Sequence, residues 1–529
     1  MRRIKQIRKS IQKIEIEKST FDLIQDYTQH SSVHGVRYMS NQKAPFLERI
    51  FWLLVLVVCI LFACILNYRL WQRYTAIPTV LAVKDTHVPL YLFPFPSVTI
   101  CPANKVKKSA ALEYFSRYIN ISSDPAIQPA LVHIMSALSL MQKPSYHRMA
   151  PHINASMQVL PLLSQVNISD FMLHVLPKCE EVFGLCSWHG KNISCCEIFS
   201  LQKTEEGYCY SFNSLTSEEG KHCPLSEVLE NEGIVEEDEI MHEGCQLRRN
   251  TAVGTVTGLE VFLRKYNSRE TEGIEQRDLN GAKIMVHTSY EYPDAGDGVW
   301  LPSTHGKKLS IAVFSSITMT SDSVKRLGPR ERGCVFPDEK NLSIYHVYTQ
   351  TSCFVECRLQ HIVKKCHCHM YYFTPAKDNV RQCGIQDFEC ILLHTRHLRL
   401  LRPPDGTPGF DSLNIKHSLN CSRCAPTCYN TEYDLEISYV PDARNKTWLY
   451  SGHLDIFYGN LGARRYLRDI TFTSSDLLVF IGGVANLFLG FSLLSVVEFI
   501  CWFLKIAIIL GYRAYRKKGG DYDSNTVRY

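Results

Sequence analysis

Four side chains stand out because they lie where polar groups are costly. Leu477–Leu504 is a long apolar stretch interrupted by Asn486, Ser492, Ser495 and Glu498, and Glu498 is its only charge. A spanning helix needs roughly 20 apolar residues, so this run suffices. A carboxylate at that depth normally faces protein or water rather than lipid. Successive residues of a helix advance by about 100°. Val479, Gly483, Asn486 and Gly490 therefore share one face, while Ser492, Ser495 and Glu498 fall mostly on others. One straight helix cannot point both sets at the same axis, whereas a break near Gly490-Phe491-Ser492 can. Non-helical backbone at membrane depth is tolerated where it lines a watery path, and rings of carbonyls, hydroxyls or carboxylates select ions. The same small residues also suit a closely packed transmembrane helix. The stretch alone leaves both readings open.

Other elements must hold that stretch in place. A second apolar run, Ile50–Leu66, is extended by Asn67, Tyr68, Leu70 and Trp71 into an interfacial end. No apolar run precedes it, so an uncleaved signal-anchor is expected. Residues 1–49 carry ten Lys/Arg against five Asp/Glu, and residues 505–529 carry six against two. Basic flanks stay in the cytoplasm, which places both termini inside and the intervening chain outside. The boundaries expected are a cytoplasmic segment 1–49, a first span 50–71, an extracellular domain 72–475, a second span 476–504 and a cytoplasmic tail 505–529. The basic ends serve as orientation signals, and no nucleic-acid partner is expected; membrane lipid is. Ile4, Ile7, Ile11 and Ile14 among basic residues suggest a helix lying on the anionic inner leaflet or packing beside the membrane.

The intervening region carries independent marks of the cell exterior. Seven glycosylation sequons, at Asn120, Asn154, Asn167, Asn192, Asn341, Asn420 and Asn445, all lie between the spans. So do eighteen of the 21 cysteines, as an oxidising compartment predicts. Phe95–Cys101, Gly258–Leu263, Ile284–His287 and Leu309–Val313 read as strands and are expected to form one mostly antiparallel sheet. Leu454–Tyr458 reads as a strand returning toward the membrane. Cys353-x3-Cys357 places two thiols on one helical face, with Leu359–Lys365 continuing the helix. Cys421 and Cys424 on an antiparallel segment would staple it, although spacing alone does not choose the connectivity. Cys366-His367-Cys368-His369 has zinc-ligand residue types, but an even cysteine count in an oxidising compartment favours disulfides; no structural metal and no cofactor are expected. The acidic run between Cys223 and Cys245 reads as a solvated face.

Several of these segments, in order, resemble the degenerin, epithelial sodium channel and acid-sensing channel superfamily, most closely its insect pickpocket branch. The likeness is carried by Ser32-Val33-His34-Gly35 before the first span, Phe95-Pro96-Ser97-Val98-Thr99-Ile100-Cys101 after it, Gly207-Tyr208-Cys209-Tyr210-Ser211-Phe212-Asn213, the ten cysteines from Cys334 to Cys428, and Gly482-Gly483 with Asn486–Glu498. The resemblance implies an α+β membrane protein: two transmembrane helices and a large disulfide-rich extracellular domain with a palm sheet, a finger and a helical thumb, assembled as a trimer. It implies a selectivity filter at Gly490, Phe491 and Ser492, a gate at Val479, Gly482 and Gly483, an inner pore lined by Ser495 and Glu498, and a cytoplasmic gating motif at His34 and Gly35. It further implies the pairs Cys334–Cys428, Cys353–Cys424, Cys357–Cys421, Cys366–Cys390 and Cys368–Cys383, with Cys101–Cys209 beside them. It leaves Cys179, Cys186, Cys195, Cys196, Cys223 and Cys245 unassigned.

On that resemblance the chain is a plasma-membrane subunit of an amiloride-sensitive channel permeant to Na⁺, probed by an extracellular stimulus the sequence does not name, and partnered by homologous subunits. The competing reading is a two-span glycosylated receptor without conduction, which accounts for the topology but not for Glu498 or the face switch. An enzyme is not expected: Gly490-x-Ser492 lacks the second glycine of a nucleophile elbow, and no triad, phosphate cradle or carboxylate pair has convincing spacing.

Overall fold

The 17 uncharged residues Ile50–Leu66 have little choice but a helix in a bilayer, because every backbone group must be satisfied within the segment. The computed structural model describes residues 20–523 except 42, 77, 120–126, 221–222, 225–244, 277–280, 297, 304–305, 374–379, 405 and 443–448. The basic stretch at 4–14, the acidic run, Asn120 and Asn445 lie outside the described residues. The chain divides into two compact units, Met1–Val80 with Ile470–Tyr529, and Leu81–Asp469.

The first unit is helical. Helix α1 is Thr20–His30 and α2 is Phe46–Ala76, longer at both ends than the 50–71 read from hydropathy. The second apolar stretch is two helices, so α3 in the second unit (Gln350–Cys366) is followed in chain order by α4, Ser474–Leu489, and α5, Leu493–Asp523. Among the described residues, two helices, α2 and the Leu493–Gly511 part of α5, are long and apolar enough to cross a membrane. Helix α4 starts on a capping box: the Thr473 hydroxyl accepts from the Asp476 N–H, and the Asp476 carboxylate accepts from the Thr473 N–H at 3.0 Å. Its start is tied to the end of α2. The Thr471 N–H donates to the Pro78 carbonyl at 2.9 Å, and the Arg73 guanidinium lies 5.4 Å from the centroid of Phe472.

The second unit is built on two sheets. Its strands are β1 (Thr79–Pro89), β2 (Ser97–Pro102), β3 (Phe183–Trp188), β4 (Lys191–Ile193), β5 (Phe199–Thr204), β6 (Gly207–Phe212), β7 (Leu259–Arg264), β8 (Gly281–His287), β9 (Gly298–Pro302), β10 (Lys307–Thr320), β11 (Asn430–Pro441), β12 (Tyr450–Tyr458) and β13 (Gly462–Ile470). One sheet has the order β5-β6-β2-β8-β9; the other runs β1-β13-β10-β12-β7-β3-β4, with β11 also on β10. Strand β2 is buried on both faces, which suits its unbroken Val98-Thr99-Ile100 core. Phe95 joins the sheets, its ring 5.0 Å from Trp188, 5.2 Å from Tyr458 and 6.2 Å from Phe212.

The single antiparallel sheet expected from the sequence is corrected here. Strands β2 and β8 belong to the five-stranded sheet, whereas β7, β10 and β12 belong to the other. Strand β10 also pairs in parallel with β12 through Lys308–Val313 and with β13 through Ser316–Thr320. Strand periodicity reports which face is buried, not which strand lies alongside, and parallel partners arrive only through long connections.

Nine disulfides staple this unit. Cys101–Cys209 links β2 to β6. Helix α3 is capped by Thr349, whose side chain accepts from the Ser352 N–H, and ends where His367 adopts a left-handed conformation. Cys353 and Cys357, one turn apart on it, bond to Cys424 and Cys421. Cys334–Cys428, Cys366–Cys390 and Cys368–Cys383 complete this region. The six cysteines left unassigned by the sequence form Cys179–Cys196, Cys186–Cys195 and Cys223–Cys245. Cys59, Cys64 and Cys501, all in helices α2 or α5, remain thiols.

Candidate functional site

The site begins where α4 cannot continue. Gly490 closes the helix in the left-handed conformation (φ 59°) and returns its N–H to the Asn486 carbonyl at 2.8 Å, a termination that glycine adopts at least cost. Phe491 and Ser492 are non-helical, and α5 starts at Leu493. Ser492 caps it: its hydroxyl accepts from the Ser495 N–H at 3.3 Å, and the Ser495 hydroxyl accepts from the Ser492 N–H at 3.2 Å. Gly490, Phe491 and Ser492 thus form a short irregular link between two apolar helices.

The segment before α2 folds against this link. The His34 N–H donates to the Leu489 carbonyl at 2.9 Å. The His34 ring crowds Gly490 so closely that a β-carbon there would collide with its Nδ1. Gly35 follows with φ 85°, turning the chain into a short helical turn, Val36–Met39. Ser32 reaches further along α5: its hydroxyl lies 2.8 Å from Ser495 Oγ and donates to Glu498 Oε2 at 2.8 Å. The Tyr27 ring of α1 lies 4.4 Å from that of Trp502, tilted by 31°, and meets Phe499 edge-on at 6.2 Å. Tyr38 stacks on Trp52 of α2 at 4.7 Å. His34, Gly35, Gly490, Ser495 and Glu498, far apart in the chain, therefore meet around one break.

Val479, Gly482 and Gly483 lie apart from this cluster, toward the start of α4. Val479 is 71 % exposed, and a β-carbon at either glycine would meet nothing within 4 Å. They belong to a helix face left open on the single chain. Tyr74 packs on Trp71 of its own helix at 5.9 Å. Sequence reasoning did not assign roles to Ser32 or Tyr27. Ser32 sits two residues before His34, and a hydroxyl beside that motif was the available signal.

In the disulfide-rich unit, Cys366 and Cys368 are both in disulfides, His367 is exposed and His369 half-buried. Asn154, Asn167, Asn192, Asn341 and Asn420 are all exposed. A buried charge network that no local pattern signals links α3 to the loops around it. Arg358 clasps Glu205 through two bonds of 2.7 Å and reaches Asp294 at 2.9 Å, while Lys143 meets Asp294 at 2.6 Å. Burial would raise the Asp294 pKa, but the Arg358 and Lys143 charges override it and hold this carboxyl well below the usual range. Glu206 is held by Lys283 at 2.9 Å and Lys105 at 3.8 Å.

A family model described as amiloride-sensitive sodium channel matches residues 27–502. The Drosophila melanogaster sodium channel protein Nach is 26% identical, the match covering 90% of this chain and 86% of that one. Pickpocket protein 19 of Drosophila melanogaster is 23% identical over 89% of this chain and 88% of its own. Acid-sensing ion channel 2 of Rattus norvegicus is 23% identical over 95% and 90% respectively.

Proposed function

The chain belongs to the amiloride-sensitive sodium channel family, and from that premise we propose that it is a subunit of a trimeric, amiloride-sensitive, Na⁺-permeable channel of the plasma membrane, gated through its disulfide-rich domain. In this reading both termini are cytoplasmic, the glycosylated 72–475 region is extracellular, and the role is sensory or osmoregulatory. Three copies, identical or homologous, surround the pore.

The observation that carries the reading is the break at Gly490–Ser492 with His34 seated against it. Partly dehydrated Na⁺ passes this link, where backbone carbonyls or the Ser492 hydroxyl replace its hydration oxygens. Glu498, one per subunit, attracts cations below it. Val479, Gly482 and Gly483 form the gate above. His34 and Gly35 couple the cytoplasmic segment to the link through the Leu489 carbonyl. A non-conducting receptor has no use for an irregular link at membrane depth held by a second segment.

The test is voltage-clamp recording from cells expressing the chain alone and with related subunits, with external Na⁺ replaced and amiloride added. An amiloride-blocked, Na⁺-carried current is expected. Surface-resident protein that stays silent in every combination, including with a bulky residue at 479, overturns the reading in favour of the receptor.

A further inference from the structure

Three imidazoles converge in the disulfide-rich unit, away from the site just described. His361 lies on the fourth turn of α3. His394 and His397 stand three residues apart at the start of the short helix Thr395–Arg399, so both project to the same side. His361 Nε2 and His394 Nδ1 are 3.2 Å apart. The His361 and His397 rings stack at 5.0 Å, and one nitrogen from each of the three residues lies within 4.8 Å of the others. The Cys366–Cys390 disulfide joins the end of α3 to the segment just before His394, which fixes the two backbones relative to one another.

We propose that His361, His394 and His397 form a binding site for one transition-metal dication of the Zn²⁺ and Cu²⁺ class. A zinc–imidazole bond of about 2.0–2.1 Å with tetrahedral angles sets neighbouring nitrogens about 3.3–3.4 Å apart. The His361–His394 separation is already close to that edge. Three nitrogens and a water complete the coordination of an open zinc site. The cluster contains neither carboxylate nor thiolate, which excludes Ca²⁺ and Mg²⁺, cations that take oxygen ligands. His397 Nδ1 is buried with no hydrogen-bond partner, so protein groups do not fully satisfy this ring. The site is half-buried, open enough for an ion to enter. His417 flanks it, its ring 5.8 Å from that of His397. Lys364 and Lys365 are exposed beside it and weaken its hold on a cation without blocking it. The Cys366-His367-Cys368-His369 segment takes no part, its sulfurs being in disulfides.

A bound ion would cross-brace α3 to the Thr395–Arg399 helix one turn beyond the disulfide. The alternative occupant of the same geometry is a proton, held as an N–H···N bond between His361 and His394, and the two are separable. The full-length chain, purified in detergent with a non-histidine tag and stripped by a chelator, is titrated with ZnCl₂ against a chromophoric competitor. Expected is one saturable equivalent, with Co²⁺ in its place giving the visible bands of a tetrahedral site. His394→Ala and, separately, His361→Gln should weaken binding at least about tenfold, the lower end of what even indirect damage costs a metal site. His367→Asn, which suits the left-handed cap, should leave it unchanged, and Lys365→Glu should tighten it. Absence of saturable binding by the unmodified chain up to about 1 mM overturns the proposal irrespective of how the variants fold. So does stoichiometric binding that survives loss of all three histidines.

Discussion

The Ser32 hydroxyl donates to Glu498 Oε2 across 2.8 Å, bringing the segment before the first apolar helix into contact with the only charge of the second apolar stretch. Ser32 has one proton to give, so the hydroxyl of Ser495, also 2.8 Å away, donates to Ser32 in turn. Ser495 itself accepts from the Ser492 N–H. A relay therefore runs from the irregular link to the carboxylate through a residue of the N-terminal segment.

Ser32→Ala removes the middle of that relay. Hydrogen bonds to charged groups are worth about 1.5–3 kcal/mol, and this one, being exposed, sits at the lower end. If the bond exists in one gating state only, the open-to-closed ratio should change by about tenfold, with Ser32→Thr restoring it. Single-channel open probability is the readout, at matched surface expression. Unchanged gating in Ser32→Ala would mean that the bond is present equally in both states.

Gly490→Ala should be far more damaging than a methyl group suggests. A left-handed conformation costs an L-residue roughly 1–2 kcal/mol, and the new β-carbon also collides with the His34 ring. Current per surface channel should fall by about 5- to 30-fold from the backbone cost alone. Combining it with His34→Ala removes the collision but not the strain. The double-mutant cycle should therefore show a coupling of about 1 kcal/mol or more, since contacting residues are non-additive. Strict additivity would place His34 away from Gly490 in the working channel.

Acid sensitivity of folding should trace partly to His287. Its Nδ1–H donates to the Thr288 carbonyl at 2.8 Å and its Nε2 accepts from the Thr99 hydroxyl at 2.8 Å. Burial in the five-stranded sheet lowers its pKa to about 4. The unfolded chain, with a histidine pKa near 6.5, binds the proton first as pH falls. The stability contributed by neutral His287 is thus fully present above about pH 6.5 and is lost progressively toward pH 4, by about 3 kcal/mol in total. Denaturant unfolding of the purified chain at pH 7.5, 6 and 5 should show this decline, and His287→Gln should flatten it. Parallel pH profiles for the two proteins would assign the effect elsewhere.

What could be read from the sequence was local. The break near Gly490 is legible because two polar sets on incompatible faces demand it, and helix α3 because Cys353 and Cys357 repeat at one turn. The contacts that give the site its shape were not legible. Ser32 and Glu498 are separated by 466 positions, and no periodicity in either segment points to the other. The Arg358, Glu205 and Asp294 network escaped for the same reason: each is an ordinary charged residue until folding buries it beside the others. The sheets were misjudged because strand β10 is long enough to take β12 along one half and β13 along the other, an arrangement set by the length of the strand and its crossovers rather than by alternation.

The open face of α4 leads to the last prediction. Val479, Gly483, Asn486 and Gly490 fall on one side of the helix by their spacing, and Val479 is 71 % exposed on the single chain. At Gly483 a β-carbon would meet nothing within 4 Å, so this face leaves room for close approach and is suited to meeting the same face of neighbouring subunits. If those faces converge when the pore closes, side-chain volume at 479 acts on the closed state alone. Overpacking a fitted interface costs about 1–3 kcal/mol, and a bulky residue at 479 should shift the open-to-closed ratio by roughly 5–150-fold toward open. Val479→Phe should therefore raise amiloride-blocked resting current per surface channel, and Val479→Ala should leave it equal or lower. The direction matters more than the size: a bulky residue that simply damaged the helix would lower current in both states. Normal surface density with unchanged open probability in Val479→Phe would move the gate away from this face and leave the closed contact to be sought elsewhere on α4.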